Sequence, residues 1–229
     1  MTAFTTRPQL TFDEKRHIYL LDGVRLPSVT QILGVIRKPG LEQWRGRVGN
    51  TEADRISKES ADFGTLDHKN IELYNREGEL WPDYDAVARP WVEVYNRWFV
   101  DNVSIVLGAE MRMVCIAHQF CGTADLICEM TDGSIAVVDI KTSKQLDETF
   151  ALQLSAYTHL LREWEEITVD RRLVVQMPSD RPGALIVHEF AVEDAQRDWR
   201  AFLACSIIWH RLFKAEAFAP RRNILGKRP

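Results

Sequence analysis

The spacing of hydrophobic and polar positions changes several times along this chain. "LTFDEKRHIYLLDGVRLPS" alternates in short runs around Asp22-Gly23, which predicts a hairpin. Ser28 and Thr30 are placed to cap a short helix reaching Leu33. From about Leu41 to Glu77 the period is helical, with a break near Gly49. In "DAVARPWVEVYNRWFVDN", Trp91, Val94, Tyr95 and Trp98 recur at i, i+3, i+4 and i+7. That spacing predicts a second helix, and its aromatic stripe reads as core packing rather than a base-stacking platform. Strands are predicted over 103–117, 119–130 and 134–141, then a helix from about Asp147 to Trp164. Two more strands, near 171–177 and 184–190, flank the "PSDRPG" turn, and a final helix covers roughly Glu193 to Ala217. This order predicts an α/β fold, a central mixed β-sheet flanked by helices with an N-terminal hairpin and helical extension. We expect one domain over 1–229: a hairpin and helical part (1–101), an α/β core (102–217) and a basic tail (218–229).

Composition narrows the class. Hydrophobic residues make up 45% and charged residues 27%, an ordinary globular balance. No apolar run approaches the roughly 18 residues of a membrane span. "MTAFTTRPQL" lacks the apolar stretch of a signal peptide, so the cytoplasm is the expected compartment and no membrane partner is expected. The net charge of −4 does not advertise a nucleic-acid binder. Charge is uneven, however. "RKPGLEQWRGR" sets Arg37, Lys38, Arg45 and Arg47 against Glu42, and the tail "RRNILGKRP" carries Arg221, Arg222, Lys227 and Arg228 without an acid. Local basic patches can contact phosphates while acids elsewhere hold metals. The four cysteines, Cys115, Cys121, Cys128 and Cys205, contain no C-x-x-C and read as reduced, partly buried thiols. No zinc site is expected.

The chemistry starts at "AVVDIKTS", residues 136–143. Ala136, Val137 and Val138 suit a sheet interior, yet the run ends in Asp139, Ile140 and Lys141. Asp125 lies on the preceding strand, across "TDGS", and two turns compete there. A two-residue Asp132-Gly133 turn sets Asp125 opposite Ile140, so that Asp139 and Lys141 point away from it. A three-residue loop of Thr131, Asp132 and Gly133 sets Asp125 opposite Asp139, and it wants Gly at its left-handed third position. Only the second register brings Asp125, Asp139 and Lys141 to one face, beside Ile127 and Val137. Two carboxylates at that separation repel, and a divalent cation relieves the repulsion. Oxygen ligands select Mg²⁺ or Mn²⁺. The rival reading is an inert surface acid pair, salt-bridged to lysine. We expect the three-residue loop.

"GTADLI", "VVDIKTS" and "LQLSAY" together resemble the core motifs of the PD-(D/E)XK nuclease superfamily, and more narrowly its RecB-like exonuclease branch. The matching positions are Gly122 and Asp125, then Asp139 and Lys141, then Gln153 and Tyr157. "FGTLDHKNIE" resembles the branch's upstream motif, with His68 at its metal-ligand position. "LPSVTQIL" is similar to an N-terminal segment of phage-type exonucleases and of the mitochondrial genome maintenance exonuclease. The motifs run in the branch's order over residues 26 to 157, more than half the chain. "GTAD" lacks the superfamily's proline and the second acid is Asp139 rather than Glu, departures that the RecB-like branch tolerates.

The resemblance implies a restriction-endonuclease-like core and metal-dependent hydrolysis of DNA phosphodiester bonds. Asp125 and Asp139 would be metal ligands, joined by the Ile140 carbonyl, by His68 and, from the preceding strand, by Glu110. Lys141 would position the attacking water and offset transition-state charge, or act as a base if its pKa is lowered. Gln153 and Tyr157, four apart on one helix face, would approach the site and the DNA backbone, and the same face can also pack on the sheet. Thr142 and Ser143 could hydrogen-bond phosphate or ligands. His17, His118, His159, His188 and His210 read as structural. With only Cys205 late in the chain, no iron–sulfur cluster is expected. The expected cofactor is Mg²⁺ or Mn²⁺. The expected partners are linear DNA, single- or double-stranded, and a phage recombination or repair protein. The rivals are an endonuclease or a nuclease subunit of a larger repair complex, an inactive DNA-binding module, and a non-nuclease protein with a structural acid pair.

Overall fold

A five-stranded mixed sheet carries the fold, with helices on both faces. The computed structural model describes residues 7–14, 16–77 and 87–217. The chain opens with β1 (Leu10–Asp13), β2 (Ile18–Leu21) and β3 (Val24–Leu26), a separate antiparallel sheet. The predicted hairpin turns at Asp22 and Gly23, both at positive φ, and β1 adds a third strand to it. Helix α1 (Val29–Leu33) begins at a capping box: Ser28 Oγ accepts from Gln31 N and the Gln31 side chain accepts from Ser28 N. Helix α2 (Pro39–Val48) has proline at its first turn. It is separated from α3 (Asn50–Glu77) at Gly49, where the sequence predicted a break. Helix α4 (Arg89–Asn102) then leads into the main sheet.

That sheet runs β4 (Val103–Cys115), β5 (Phe120–Met130), β6 (Ile135–Lys141), β7 (Arg171–Gln176) and β8 (Ile186–Phe190), in that spatial order. Only the β6–β7 pair is parallel, and α5 (Thr149–Trp164) makes its crossover. A short 3₁₀ turn and α6 (Ala195–Ala217) close the described chain.

Alternation along β6 divides the core. Val137 packs with Ile127, Leu154, Leu160 and Phe202, beneath α1, α5 and α6. Ala136, Val138 and Ile140 face the other way, against Ile71, Trp91, Tyr95 and Trp98 of α3 and α4. The aromatic stripe of α4 is therefore core, and Trp91 Nε1 donates to the Pro178 carbonyl at 3.0 Å. Gly122 permits the close approach of helices to β5. A Cβ there would come within 2.8 Å of Tyr157 and 3.1 Å of Val29. The "LPS" segment is docked beside it, with Cys121 N donating to the Pro27 carbonyl at 2.9 Å. No helix among the described residues is long and apolar enough to cross a membrane.

Candidate active site

The turn decides the site. Met130 N donates to Ser134 O at 2.8 Å and Gly133 N donates to Met130 O at 2.9 Å, while Gly133 takes φ +85°. This is the three-residue loop, and Asp132 Oδ1 fastens it by accepting from Ser134 N at 2.9 Å. Leu126 pairs with Val138 and Ile127 with Val137, so the next position along places Asp125 across from Asp139. The backbone ladder stops there. Ile140 N donates instead to the Asp125 carboxylate, at 2.7 Å.

Asp139 is 1% exposed, an unusual place for a carboxylate. Lys141 and Gln153 stabilise it. Lys141 Nζ lies 2.5 Å from Oδ2, and Gln153 Nε2 donates to Oδ1 at 2.8 Å. Gln153 also reaches the Tyr157 hydroxyl at 3.0 Å. Both α5 residues are buried, so this helix face packs on the sheet and touches the acid pair at the same time.

Charge sets the protonation states. Burial pulls the Lys141 ammonium down, but Asp139, Asp125 and Glu110 outweigh it and leave its pKa above the ordinary lysine value. The charged amine is thus favoured, which suits positioning and charge compensation better than base chemistry. Burial holds the Tyr157 phenol far above its usual range, and the nearby Asp139 and Asp125 add to the effect.

Glu110 belongs to the same electrostatic neighbourhood. The flanking pairs Ala109–Leu126 and Met111–Ala124 set it opposite Asp125. Its φ of +49° removes it from the strand conformation, at a cost of about 1–2 kcal/mol for a non-glycine residue. Strain of this kind is often held at functional positions. Sequence reasoning missed Tyr19, whose hydroxyl lies 2.6 Å from Thr123 Oγ1. Burial raises the Tyr19 pKa, and Glu110 contributes to the rise. The alternation from Asp125 to Thr123 was the available signal.

Helix α3 approaches the end of β6. A Cβ on Gly64 would stand 3.1 Å from Thr142 Oγ1. Position 68 follows one turn later on α3, and the His68 side chain lies outside the described residues. Of the expected basic patch, Arg37 pairs with Glu42, Lys38 with Asp147 and Arg45 with Asp54. The basic tail, 218–229, lies outside the described residues.

The four cysteines are free and buried. Burial raises the thiol pKa of Cys115, Cys121 and Cys128 to about 12, which makes them poor nucleophiles. Cys115 and His118 form a Cys-x-x-His pair that the fold brings to His159.

No family model and no curated protein sequence matches the chain. Among solved structures, a protein named SSO0001 aligns with a TM-score of 0.40 at 17% identity, covering 79% of this chain and 74% of the other. A protein of Eubacterium rectale named "Putative exonuclease" aligns with a TM-score of 0.47 at 12% identity, covering 67% of this chain and 68% of its own. Likenesses this distant carry no weight for function.

Proposed function

We propose that this protein is a hydrolase, a divalent-metal-dependent deoxyribonuclease acting as an exonuclease on linear DNA. One observation carries the reading: Asp125 stands across from Asp139 in the register set by Gly133, with Lys141 2.5 Å from Asp139. Among the described residues, Asp125, Asp139 and Glu110 all act electrostatically on the Lys141 ammonium, three acids against one base at a strand end. Oxygen donors with that surplus fit Mg²⁺ or Mn²⁺. When bound, such an ion would polarise a water and the scissile phosphate.

The chain's own residues have distinct tasks in this reading. Asp125 and Asp139 would hold the ion, with the Ile140 carbonyl, His68 and Glu110 as further ligands. Gln153 fixes the Asp139 carboxylate by its 2.8 Å hydrogen bond, and the Tyr157 hydroxyl fixes Gln153 in turn. Lys141 would orient the attacking water and offset charge growing on the phosphate oxygens. Action from DNA ends, and a phage or prophage role in recombination, repair or processing with a protein partner, rest on the sequence motifs alone.

The test is incubation with linear and circular DNA in Mg²⁺, Mn²⁺ or EDTA. Metal-dependent loss of linear DNA alone is the expected result. Nicking of circles would make the protein an endonuclease. Binding without cleavage under every condition would leave a DNA-binding module.

A further inference from the structure

A second polar cluster lies about 17 Å along β4 from Glu110, by strand rise, at the turn into β5. Strand β4 ends at Cys115 and β5 begins at Phe120, so the turn carries His118. Against it packs the last part of α5, which offers His159 and Glu163 one turn apart on a single face. One donor atom each from Cys115, His118 and His159 lie within 4.8 Å of one another. Glu163 spans two of the three. Its Oε2 accepts from Cys115 Sγ at 3.2 Å, and its Oε1 lies 3.0 Å from His159 Nε2.

We propose that Cys115, His118, His159 and Glu163 form a structural site for zinc or a similar borderline divalent transition metal. A pair from a strand turn and an i, i+4 pair from a helix make a sulfur, nitrogen and oxygen set of the kind zinc accepts. A closed tetrahedron needs donors roughly 3.3–3.8 Å apart, given metal–donor bonds near 2.0–2.3 Å, so contraction of at most about 1.5 Å among Cys115, His118 and His159, with slight loosening of the Glu163 contacts, completes the set. Coordination would release the thiol proton to solvent and join the β4–β5 turn to α5.

The surroundings suit ligation better than redox or nucleophilic chemistry. The backbone N–H groups of Ala117 and His118 act to lower the Cys115 thiol pKa, as they would favour a bound thiolate. Trp199 stacks on the His159 ring at 3.8 Å and 19°, which fixes its orientation. Burial lowers the pKa of His159 and favours the neutral ring that a metal requires. Among the described residues, buried His159 Nε2 has no hydrogen bond of good geometry, despite the nearness of Glu163. The same burial that keeps the free thiol protonated gives way to thiolate once a cation is beside it.

This site is independent of the nuclease reading, and one titration tests it. Full-length protein stripped with chelator is titrated with Co²⁺, and thiolate-to-cobalt charge-transfer absorption is followed. One equivalent should develop the band, and Zn²⁺ should abolish it. Cys115→Ser should remove the band. His118→Ala, at an exposed turn position, should weaken Co²⁺ binding at least about tenfold with an unchanged circular dichroism spectrum. Asp125→Asn should leave the band intact, which separates this site from the acidic one. Absence of the band in the unaltered protein, or its survival in Cys115→Ser, would overturn the proposal.

Discussion

Neighbouring strands β6 and β7 each carry a buried ion pair, and the two pairs are built differently. Arg172 on β7 is fully buried and its Nη1 lies 2.9 Å from Asp198; Nη1 also donates to the Ala151 carbonyl and Nη2 to the Ala191 carbonyl, while Nε has no hydrogen-bond partner among the described residues. Arg197 Nε also lies 3.9 Å from Asp198 at the exposed edge, so no acid is in surplus here, and the buried contacts tie β7, α5 and α6 together. Lys141 on β6 meets Asp139 at 2.5 Å, but Asp125 and Glu110 also face it. The first pair carries no surplus acid and reads as structural. Among the described residues the second carries more acid than base, and is suited to receive a cation. Charge balance, rather than burial or pairing alone, separates an architectural ion pair from a candidate reactive one.

That contrast can be broken by substitution. The largest expected effect is on stability. Asp198→Ala should cost about 3–5 kcal/mol, because it leaves the Arg172 charge buried without its partner. Chemical denaturation measures this, and a loss below about 1 kcal/mol would remove the structural assignment. Lys141→Ala should lower cleavage by about 10²–10³-fold, or roughly 3–4 kcal/mol in the barrier, while DNA binding persists. Asp139→Asn should lose Mn²⁺ affinity and cleavage together, as isothermal titration beside a nuclease assay would show.

The sharpest test of the comparison is Asp125→Asn. An amide oxygen can still accept from Ile140 N, yet one surplus charge is gone. Stability in EDTA should therefore stay within about 1 kcal/mol of the parent or rise, opposite in direction to Asp198→Ala. Denaturation of the two variants side by side reads the difference.

The smallest effect is a pH dependence outside either pair. Burial acts to raise the Asp147 pKa, but hydrogen bonds from Lys38 and Thr149 outweigh it and hold the value below the usual range. Its contribution, below about 1 kcal/mol, is present above the unfolded pKa of about 3.9. It is lost as pH falls through the lower folded value. Acid denaturation of Lys38→Met should show a smaller component, the Thr149 hydrogen bonds remaining.

Much of the candidate site was legible because the relevant spacing is short. Asp139 and Lys141 share a face by the two-residue strand period, and Gln153 and Tyr157 share one by the helical repeat. Glu110 was harder to place. Its left-handed backbone departs from the strand conformation inside β4, and nothing in "LGAEMRM" signals it. Arg172 gave no warning either. Within "RRLVVQ" it looks like one of two surface arginines, and only one of them is buried.

By itself, the sequence determined the elements and their faces, since period, caps and turn residues act between near neighbours. It also narrowed the β5–β6 hairpin to two turns. Tertiary structure decided which turn forms, because register depends on which set of side chains the surrounding helices bury. It alone brought Cys115 and His118 to the helix bearing His159, and Asp198 to Arg172. Those meetings arise from packing between distant segments, for which no local pattern exists.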